Sequence, residues 1–373
     1  MRIGMPRERK VYEHRVAMTP AGVREAVTLG HEVLVEAGAG AAIGFRDADY
    51  ATAGADVIAS PADVFAASEI IVKVKEPQPD ECAMLRSGQV LFTYLHLAAD
   101  RQTTQLLLAS RCTAIAYETV TDARGGLPLL APMSEIAGRM AAQVGAHCLE
   151  NPQGGAGILM SGVSGVRPAN VVVLGGGVVG ANAARIARGM GADVTVLDRS
   201  VERLRELDQL YGPSIRTIFS SLEAIEENVM RCDLAVGAAL IPGAAAPRLV
   251  SKKMLPGMKR GSVLVDVSID QGGCFETSRP TTHAEPTYTV EGVIHYCVSN
   301  MPGGVARTST IALTNATLPY LLRIASHGWR SALAADRHLT DGLNIHDGAV
   351  TCGAVAAAHG MQAILASDAI GIS

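Results

Sequence analysis

The most constraining segment of this chain is a glycine-rich turn between a predicted strand and a predicted helix. The apolar strand 170–174 is followed by Gly175, Gly177 and Gly180 in the spacing GxGxxG, and a helix is expected over residues 178–190. In a βαβ unit these glycines permit a tight turn, the approach of a pyrophosphate and close packing of helix on strand. The helix N-terminus also offers unpaired N–H groups to phosphates, so the segment predicts a dinucleotide site. A tight turn without a ligand is the alternative.

An acidic residue lies where a dinucleotide site needs one. The next predicted strand, 193–197, is followed by Asp198, which lies 18 residues after Gly180. A carboxylate at this place hydrogen-bonds the free 2′-hydroxyl of NAD and repels the 2′-phosphate of NADP. NAD is therefore the predicted cofactor. Arg199 and Arg203 lie close by, and the sequence leaves open whether they contact the cofactor or are solvated charges on a helix face.

The whole chain alternates apolar runs of strand length with helical patterns, which indicates parallel βαβ units. Predicted strands cover residues 2–6, 32–36, 69–75, 89–96, 112–118, 170–174, 193–197, 233–238, 262–267 and 293–298. Predicted helices cover residues 20–29, 80–86, 100–110, 134–149, 178–190 and 308–326, with Ser134 as an N-cap.

A chain of 373 residues exceeds what one hydrophobic core usually holds, so two domains are expected. The predicted fold class is α/β, with two Rossmann-like domains of parallel sheets that are joined by long helices and have a cleft between them. Residues 1–130 and 306–373 are predicted to form a discontinuous substrate domain. Residues 131–305 are predicted to form an inserted NAD-binding domain.

Composition excludes several other classes of protein. The net charge is −4 and no long basic run occurs, which argues against nucleic-acid binding. The seven cysteines are scattered without CxxC spacing, so neither a zinc site nor a disulfide framework is suggested, and a cytoplasmic location is expected. Residues 348–367 carry little charge but contain glycine, histidine and much alanine, so we interpret them as a packed helix rather than a membrane span.

Polar residues follow the predicted strands of the first domain. Lys75, His96 and Glu118 end three consecutive strands, and Arg15 lies just beyond the first strand. Ligands of open α/β sheets collect at these carboxyl ends. An arginine can bind a carboxylate through two hydrogen bonds, a lysine can polarise a carbonyl, and a histidine can transfer protons near neutral pH. Asp270 follows a strand of the second domain and could activate water or steady a charged intermediate.

Each of these residues also has an ordinary interpretation. A lone histidine at a strand end is usually structural, and a lone arginine or lysine is usually a surface charge. Glu118 could support the site or simply cap its strand. The combination of a guanidinium, an amine and an imidazole on one rim is what favours a site. No metal site is predicted; His327 is interpreted as a surface histidine, with a metal site beside Glu202 as the alternative.

At these residues the sequence resembles the alanine dehydrogenase family, which also includes the nucleotide-binding alpha subunit of proton-translocating transhydrogenase. The resemblance covers nearly the whole chain. Its motifs are GMPRE (4–8), RVAMTPAG (15–22), VKVKEP (72–77), LFTYLHL (91–97), AYET (116–119), PLLAPMSE (128–135), DVSIDQGG (266–273) and NMP (300–302).

The resemblance implies an NAD-dependent enzyme that interconverts L-alanine with pyruvate and ammonium, works as a homohexamer and has neither nucleic acid nor membrane as a partner. Arg15 and Lys75 would bind the keto acid, while His96 and Asp270 would be the catalytic pair. Besides the three glycines, the implied cofactor contacts are Ser134, Asp198, Arg203, Ser220, Ala239, Leu240, Val267, Ile269, Asp270, Val298, Asn300 and Met301. Some relatives are expected to carry lysine where this chain has Arg203, which keeps the charge but not the geometry.

Three other functions compete with this prediction. A transhydrogenase component would need a membrane partner and usually a transmembrane extension. An amino-acid dehydrogenase of the lysine or saccharopine type would need a larger pocket, whereas Tyr94 and Met133 favour a small one. An NAD-binding sensor with an inactive site would not need the full set of polar residues.

Overall fold

The computed structural model describes residues 1–239 and 246–371. The chain divides into two compact units, each with its own sheet: Met1–Met133 with Val305–Ser373, and Ser134–Gly304. The strands are β1 (Arg2–Met5), β2 (Glu32–Glu36), β3 (Asp56–Ile58), β4 (Ile70–Val72), β5 (Val90–Thr93), β6 (Thr113–Ala116), β7 (Asn170–Leu174), β8 (Asp193–Asp198), β9 (Arg216–Phe219), β10 (Leu234–Gly237), β11 (Val263–Asp266), β12 (Thr287–Val290), β13 (Val293–Tyr296), β14 (Leu343–His346) and β15 (Ala349–Val350).

Helices connect most of these strands. They are α1 (Pro20–Thr28), α2 (Asp47–Thr52), α3 (Pro61–Ala67), α4 (Pro79–Cys82), α5 (Arg101–Ser110), α6 (Ala131–Cys148), α7 (Val178–Gly189), α8 (Val201–Tyr211), α9 (Leu222–Arg231), α10 (Ala306–His327), α11 (Trp329–Ala334), α12 (Arg337–Thr340), α13 (Gly353–His359) and α14 (Ala366–Ile370). No helix within the two described ranges is both long and apolar enough to cross a membrane.

The sheet of the first unit has the strand order β15-β14-β6-β5-β4-β1-β2-β3. The strands from β6 to β3 are parallel, and those in the middle are buried on both faces, as helix-covered parallel strands are. β4 illustrates this, because Ile70, Ile71 and Val72 are all fully buried. The carboxyl ends of β1, β4, β5 and β6 therefore lie side by side along one edge.

The sheet of the second unit has the order β12-β13-β11-β10-β7-β8-β9, with β7 in the middle. All neighbours are parallel except β12, which pairs antiparallel with β13. Apart from β12 this is the strand order of the doubly wound dinucleotide-binding fold, whose direction of winding reverses between β7 and β10. The predicted class of two Rossmann-like α/β units is confirmed.

The sheets are mixed rather than wholly parallel. β14 pairs antiparallel with β6 and with β15, so the C-terminal segment adds a hairpin to the first sheet. The interpretation of residues 348–367 as one packed helix was wrong, because this stretch contains β15, the short helix α13 and non-helical residues after Gly360. Gly348, in the turn between β14 and β15, and Gly360, which caps the C-terminus of α13, both have positive φ.

The prediction of Ser134 as an N-cap was also wrong. The helix α6 begins at Ala131, so Ser134 lies within it. Pro132 is compatible with this start because the first N–H groups of a helix have no intrahelical partner. Several strands of the first unit are shorter than predicted, and residues 73–75, 94–96 and 117–118 lie beyond the strand ends. These extensions carry the candidate site.

Candidate active site

The first unit places three of the predicted residues at neighbouring strand ends. Lys75 follows β4, His96 follows β5 and Glu118 follows β6, and these strands pair in parallel in that order. The carboxyl ends of adjacent parallel strands meet at the same edge, so the three side chains belong to one rim. Arg15 reaches this rim from the loop after β1.

Arg15 is held by a carboxylate that the sequence analysis did not single out. Its Nε donates to Glu13 Oε1 at 2.7 Å and its Nη2 donates to Glu13 Oε2 at 2.5 Å, which is a two-pronged ion pair with both side chains almost fully buried. Nη1 lies 3.1 Å from the sulfur of Met133. Burial opposes the charge, but the hydrogen bonds from Arg15 to Glu13 outweigh it and raise the pKa of Arg15. The guanidinium is therefore charged and oriented in advance.

Lys75 differs from Arg15 because its ammonium group has no hydrogen-bond or ion-pair partner in the described part of the chain. Burial, and then the nearby charge of Arg15, lower the pKa of Lys75. A half-buried cation next to a second cation is a favourable place for an anion. The pair can thus bind a small carboxylate, with Lys75 supplying the uncompensated charge.

The backbone around His96 is set by Glu118. Glu118 accepts hydrogen bonds from the N–H groups of Leu95, at 3.2 Å, and of His96, at 2.6 Å. His96 has a φ of 50°, a left-handed conformation that a non-glycine residue adopts only when its surroundings impose it. Its ring stacks on that of Tyr94 at 5.8 Å and remains half exposed, with Nδ1 3.9 Å from Glu118 Oε1. Glu118 thus supports the loop that presents an accessible imidazole.

A second buried ion cluster supports the loop that carries Lys75. The Nζ of Lys73 lies 2.9 Å from Glu81 and 3.3 Å from Glu8, and all three side chains are nearly inaccessible to solvent. Glu8 also accepts the N–H of Val74 at 2.6 Å. The sequence carried one signal of this cluster, since a lysine inside the apolar run 70–74 must be paired if it is buried.

In the second unit the three glycines of the motif differ in how much space a side chain would have. A Cβ on Gly180 would lie 1.8 Å from the carbonyl oxygen of Gly175, and a Cβ on Gly175 would lie 2.7 Å from the carbonyl oxygen of Ala238. Those two positions exclude any side chain. A Cβ on Gly177, which is the N-cap of α7, would meet nothing within 4 Å. This free space at a helix N-terminus fits a pyrophosphate, which needs N–H groups and close backbone approach.

The neighbouring residues fasten this turn. Asp198, the last residue of β8, accepts the N–H of Gly176 at 2.6 Å and that of Ser200 at 2.8 Å. Arg203 donates from Nε to the carbonyl oxygen of Gly176 at 2.6 Å and pairs with Glu206. Ser220 follows β9 and donates its N–H to the carbonyl oxygen of Asp198 at 2.9 Å. Asp198 and Arg203 therefore shape the turn whether or not they also touch a nucleotide.

The other predicted cofactor residues follow the remaining strand ends, except for one on a helix. Ser134 lies in α6 one turn before Gly138, where a Cβ would come within 2.1 Å of the carbonyl oxygen of Val179 in α7. Leu240 lies outside the described residues. The others are Ala239 after β10, Val267, Ile269 and Asp270 after β11, and Val298, Asn300 and Met301 after β13.

In each unit, the predicted site residues that the structure describes lie at the carboxyl edge of that unit's sheet, except for Ser134 on α6. The edge of the first unit can bind a small carboxylate and transfer protons. The edge of the second can bind a nucleotide and presents the exposed carboxylate of Asp270. Within the described residues, no group of three or more His, Cys, Asp or Glu side chains is arranged to hold a metal ion.

Comparisons with known proteins identify the family of this chain. The family model "Alanine dehydrogenase/PNT, N-terminal domain" matches residues 4–137, and "Alanine dehydrogenase/PNT, C-terminal domain" matches residues 141–353. The alanine dehydrogenase of Halomonas elongata is 60% identical over 371 residues, with full coverage of both chains. That of Mycobacterium tuberculosis is 56% identical over 350 residues, which is 94% of each chain.

Solved structures give the same result. A structure described as an L-alanine dehydrogenase aligns with a TM-score of 0.94 and 49% identity, covering 96% of this chain and 99% of that one. A transhydrogenase from Sinorhizobium meliloti aligns with a TM-score of 0.80 and 26% identity, covering 95% of this chain and all of the other.

Proposed function

The chain belongs to the alanine dehydrogenase/PNT family, and on that premise we propose that it is an L-alanine dehydrogenase. The reaction converts L-alanine, NAD⁺ and water into pyruvate, ammonium, NADH and a proton, and it is reversible. The family and the Rossmann-like units make the chain an oxidoreductase that uses a nicotinamide cofactor. The choice of NAD is the finer proposal, supported by the carboxylate of Asp198 at the end of β8.

The observation that carries the proposal is the unpartnered ammonium of Lys75 beside Arg15. A protein that only passed hydride between nucleotides would have no use for a buried cation pair at a strand end. A small α-keto acid carries one carboxylate and one carbonyl oxygen, which the pair matches. Tyr94 and Met133, both buried next to Arg15, leave room for a small side chain such as the methyl group of alanine.

We assign each residue a role in this reaction. Arg15 binds the substrate carboxylate and Lys75 polarises the oxygen that becomes the carbonyl of pyruvate. His96 takes a proton from the water that attacks the iminium formed from alanine, and returns one in reverse. Asp270 stabilises that cation. A bound nicotinamide would supply the hydride acceptor for oxidation of alanine and the hydride donor for the reverse reaction. Backbone groups at Gly175, Gly177 and Gly180 would hold the pyrophosphate.

The proposal also covers the two domains, the lining of the cofactor site, the oligomeric state and the location of the enzyme. Residues 1–130 and 306–373 form the substrate domain, and 131–305 form the NAD-binding domain. Ser134, Asp198, Arg203, Ser220, Ala239 and the residues after β11 and β13 line the cofactor site. The enzyme works as a homohexamer in the cytoplasm, and light scattering of the purified protein tests the hexamer.

The experiment that tests the function is an assay of the purified chain with NADH, pyruvate and ammonium. We expect absorbance of the reduced nicotinamide to fall only when both pyruvate and ammonium are present, and much more slowly with NADPH. Tight NADH binding without turnover of pyruvate would contradict the proposal and favour a hydride carrier or a sensor. Glyoxylate, lysine and 2-oxoglutarate, assayed in parallel, define the size of the accepted side chain.

A further inference from the structure

A buried carboxylate next to the proposed catalytic loop has no role in the reaction as described so far. Asp266, the last residue of β11, is fully buried, yet it is not paired with any cation among the described residues. An unpaired carboxylate in a protein interior is costly unless hydrogen bonds satisfy it. Its surroundings therefore show what it is for.

Both oxygens of Asp266 are occupied by hydrogen-bond donors. Oδ1 accepts the N–H of Ser268 at 3.1 Å. Oδ2 accepts the N–H groups of Cys274, at 2.8 Å, and of Phe275, at 3.3 Å, together with the hydroxyl of Ser278 at 2.5 Å. Four donors and no acceptor point at this group, so the arrangement suits a carboxylate and not an amide.

These donors belong to the loop that carries Asp270. Asp266 is the N-cap of the short 3₁₀ helix Val267–Gln271, in which Asp270 is the fourth residue. The donors on the far side, from Cys274 to Ser278, close the loop around the same carboxylate. A second tie runs from Ser268 Oγ to the carbonyl oxygen of Ala239 at 2.8 Å, beside the glycine turn. Asp270 itself projects from this loop and is exposed.

We propose that Asp266 is a positioning residue for the reaction, which holds the 267–278 loop so that Asp270 is presented in its working place. The proposal rests on the role assigned to Asp270 above. Asp266 does not touch substrate; it acts through the N–H of Ser268, two residues before Asp270. A displacement of about 1 Å at a reacting group can lower turnover about 10²-fold, so the carboxylate affects the rate from a distance.

The decisive variant is Asp266→Asn, which keeps the size of the side chain. Its amide oxygen can still accept from Cys274, Phe275 and Ser278, but its NH₂ group then faces the N–H of Ser268. We expect kcat to fall about 10²-fold, while the dissociation constant of NADH changes far less. Ser268→Ala keeps the N–H bond to Asp266 and loses the side-chain hydrogen bonds to Ala239 and Cys274, so its kcat should fall by no more than about tenfold.

A matched control is available in the same sheet. Asp233 is also a buried carboxylate, which accepts the N–H of Asn170 at 2.8 Å and pairs with Lys259, but it precedes β10 at the amino end. Asp233→Asn should lower the melting temperature and leave kcat unchanged. Equal losses of kcat in Asp233→Asn and Asp266→Asn would reduce Asp266 to a general structural role and overturn the proposal.

A double-mutant cycle with Asp270→Asn separates the inference from its premise. If Asp266 acts through Asp270, Asp266→Asn lowers kcat in the wild-type background but has little further effect in Asp270→Asn. An undiminished effect in that background overturns the inference and leaves the proposed function intact. A wild-type kcat for Asp270→Asn itself removes the role of Asp270, and the inference with it. If Asp266→Asn does not fold, the same cycle with Ser278→Ala, which removes one donor to Asp266 Oδ2, decides the question.

Discussion

The carboxyl edges of the two sheets differ in the groups that they present: side chains in the first unit and backbone N–H groups in the second. In the first unit the edge consists of long polar side chains, Arg15, Lys75 and His96, and carboxylates of the same unit hold the guanidinium of Arg15 and the backbone beside Lys75 and His96. In the second unit the edge beside β7 has no side chain at Gly175, Gly177 or Gly180, and its groups are backbone N–H donors. In the proposed function the first edge acts on a small anion, whereas the second binds a large one.

This difference determines which substitutions matter at each edge. At the first edge a side chain can be replaced by one of similar size, and the loss is one of charge or proton transfer. At the second edge a single added methyl group is enough to distort the glycine turn or to occupy the space proposed for the pyrophosphate. The predictions below use that contrast, beginning with the largest expected effect.

His96→Ala should lower kcat about 10²–10⁴-fold, the range expected for a positioned acid or base. The imidazole is half exposed and its contacts are the stacking on Tyr94 and a 3.9 Å approach to Glu118, so its removal costs little stability. Steady-state kinetics with pyruvate, ammonium and NADH measures the effect, and circular dichroism checks the fold. His147→Ala is the control, since that histidine is exposed and pairs only with Glu150. A kcat near wild type would exclude His96 from proton transfer.

Lys75→Met should raise the KM for pyruvate about 10–10²-fold, as expected for loss of a hydrogen bond to a charged group. The fold should not suffer, because the ammonium has no partner to lose. Arg15→Met, in contrast, removes the guanidinium that neutralises the buried carboxylate of Glu13 and should destabilise the protein by about 3–5 kcal/mol. Thermal unfolding separates the two variants. Equal destabilisation would show that Lys75 has a structural partner after all.

The lowered pKa of Lys75 also makes the free energy of unfolding depend on pH. Its pKa is lowered in the folded protein, so the unfolded chain binds the proton more tightly. Stability should therefore rise as pH increases from the lowered pKa towards the ordinary value of lysine. In Lys75→Met this contribution is absent. Denaturant unfolding of the two proteins across the alkaline range should give curves that converge as pH rises.

Gly177→Ala and Gly180→Ala test the second edge with the same added methyl group. At Gly180 the methyl overlaps the carbonyl oxygen of Gly175, so we expect a loss of stability of about 1–3 kcal/mol from overpacking. At Gly177 it meets no atom of residues 1–239 and 246–371 within 4 Å, so the melting temperature should be unchanged while the NADH dissociation constant rises about tenfold. Unchanged NADH binding in Gly177→Ala would place the pyrophosphate elsewhere.

Local patterns of the sequence predicted the fold well, because most strands and helices have a recognisable signal within a few consecutive residues. The apolar runs of β2 and β7 and the Thr19–Pro20 start of α1 are local signals of this kind. The C-terminal hairpin β14–β15 was missed because its strands are only four and two residues long, and antiparallel pairing with β6 involves residues far apart in sequence.

The same reasoning explains which site residues were found. Lys75, His96 and Glu118 follow apolar strands, so their positions could be read from the chain. Glu13, Glu81 and Asp266 could not, because their roles come from partners that only the folded chain brings together or from hydrogen bonds within a loop. A sequence shows which residues end strands, but not which buried carboxylate compensates which charge.

The smallest expected effect concerns the choice between NAD and NADP. Asp198 accepts two backbone N–H bonds, from Gly176 and Ser200, which place its carboxylate and fix its orientation at the end of β8. Asp198→Asn keeps one acceptor and removes the negative charge, so repulsion of a 2′-phosphate falls while the turn stays largely formed. Arg203, anchored to the carbonyl oxygen of Gly176, then provides a cation nearby.

We therefore expect Asp198→Asn to reduce the preference for NADH over NADPH about tenfold, measured as the ratio of the two kcat/KM values. The variant Arg203→Met should weaken NADPH use in the Asp198→Asn background. If the ratio stays at the wild-type value in Asp198→Asn, the carboxylate serves only the glycine turn. The selectivity would then have to come from residues at the other strand ends of the second edge.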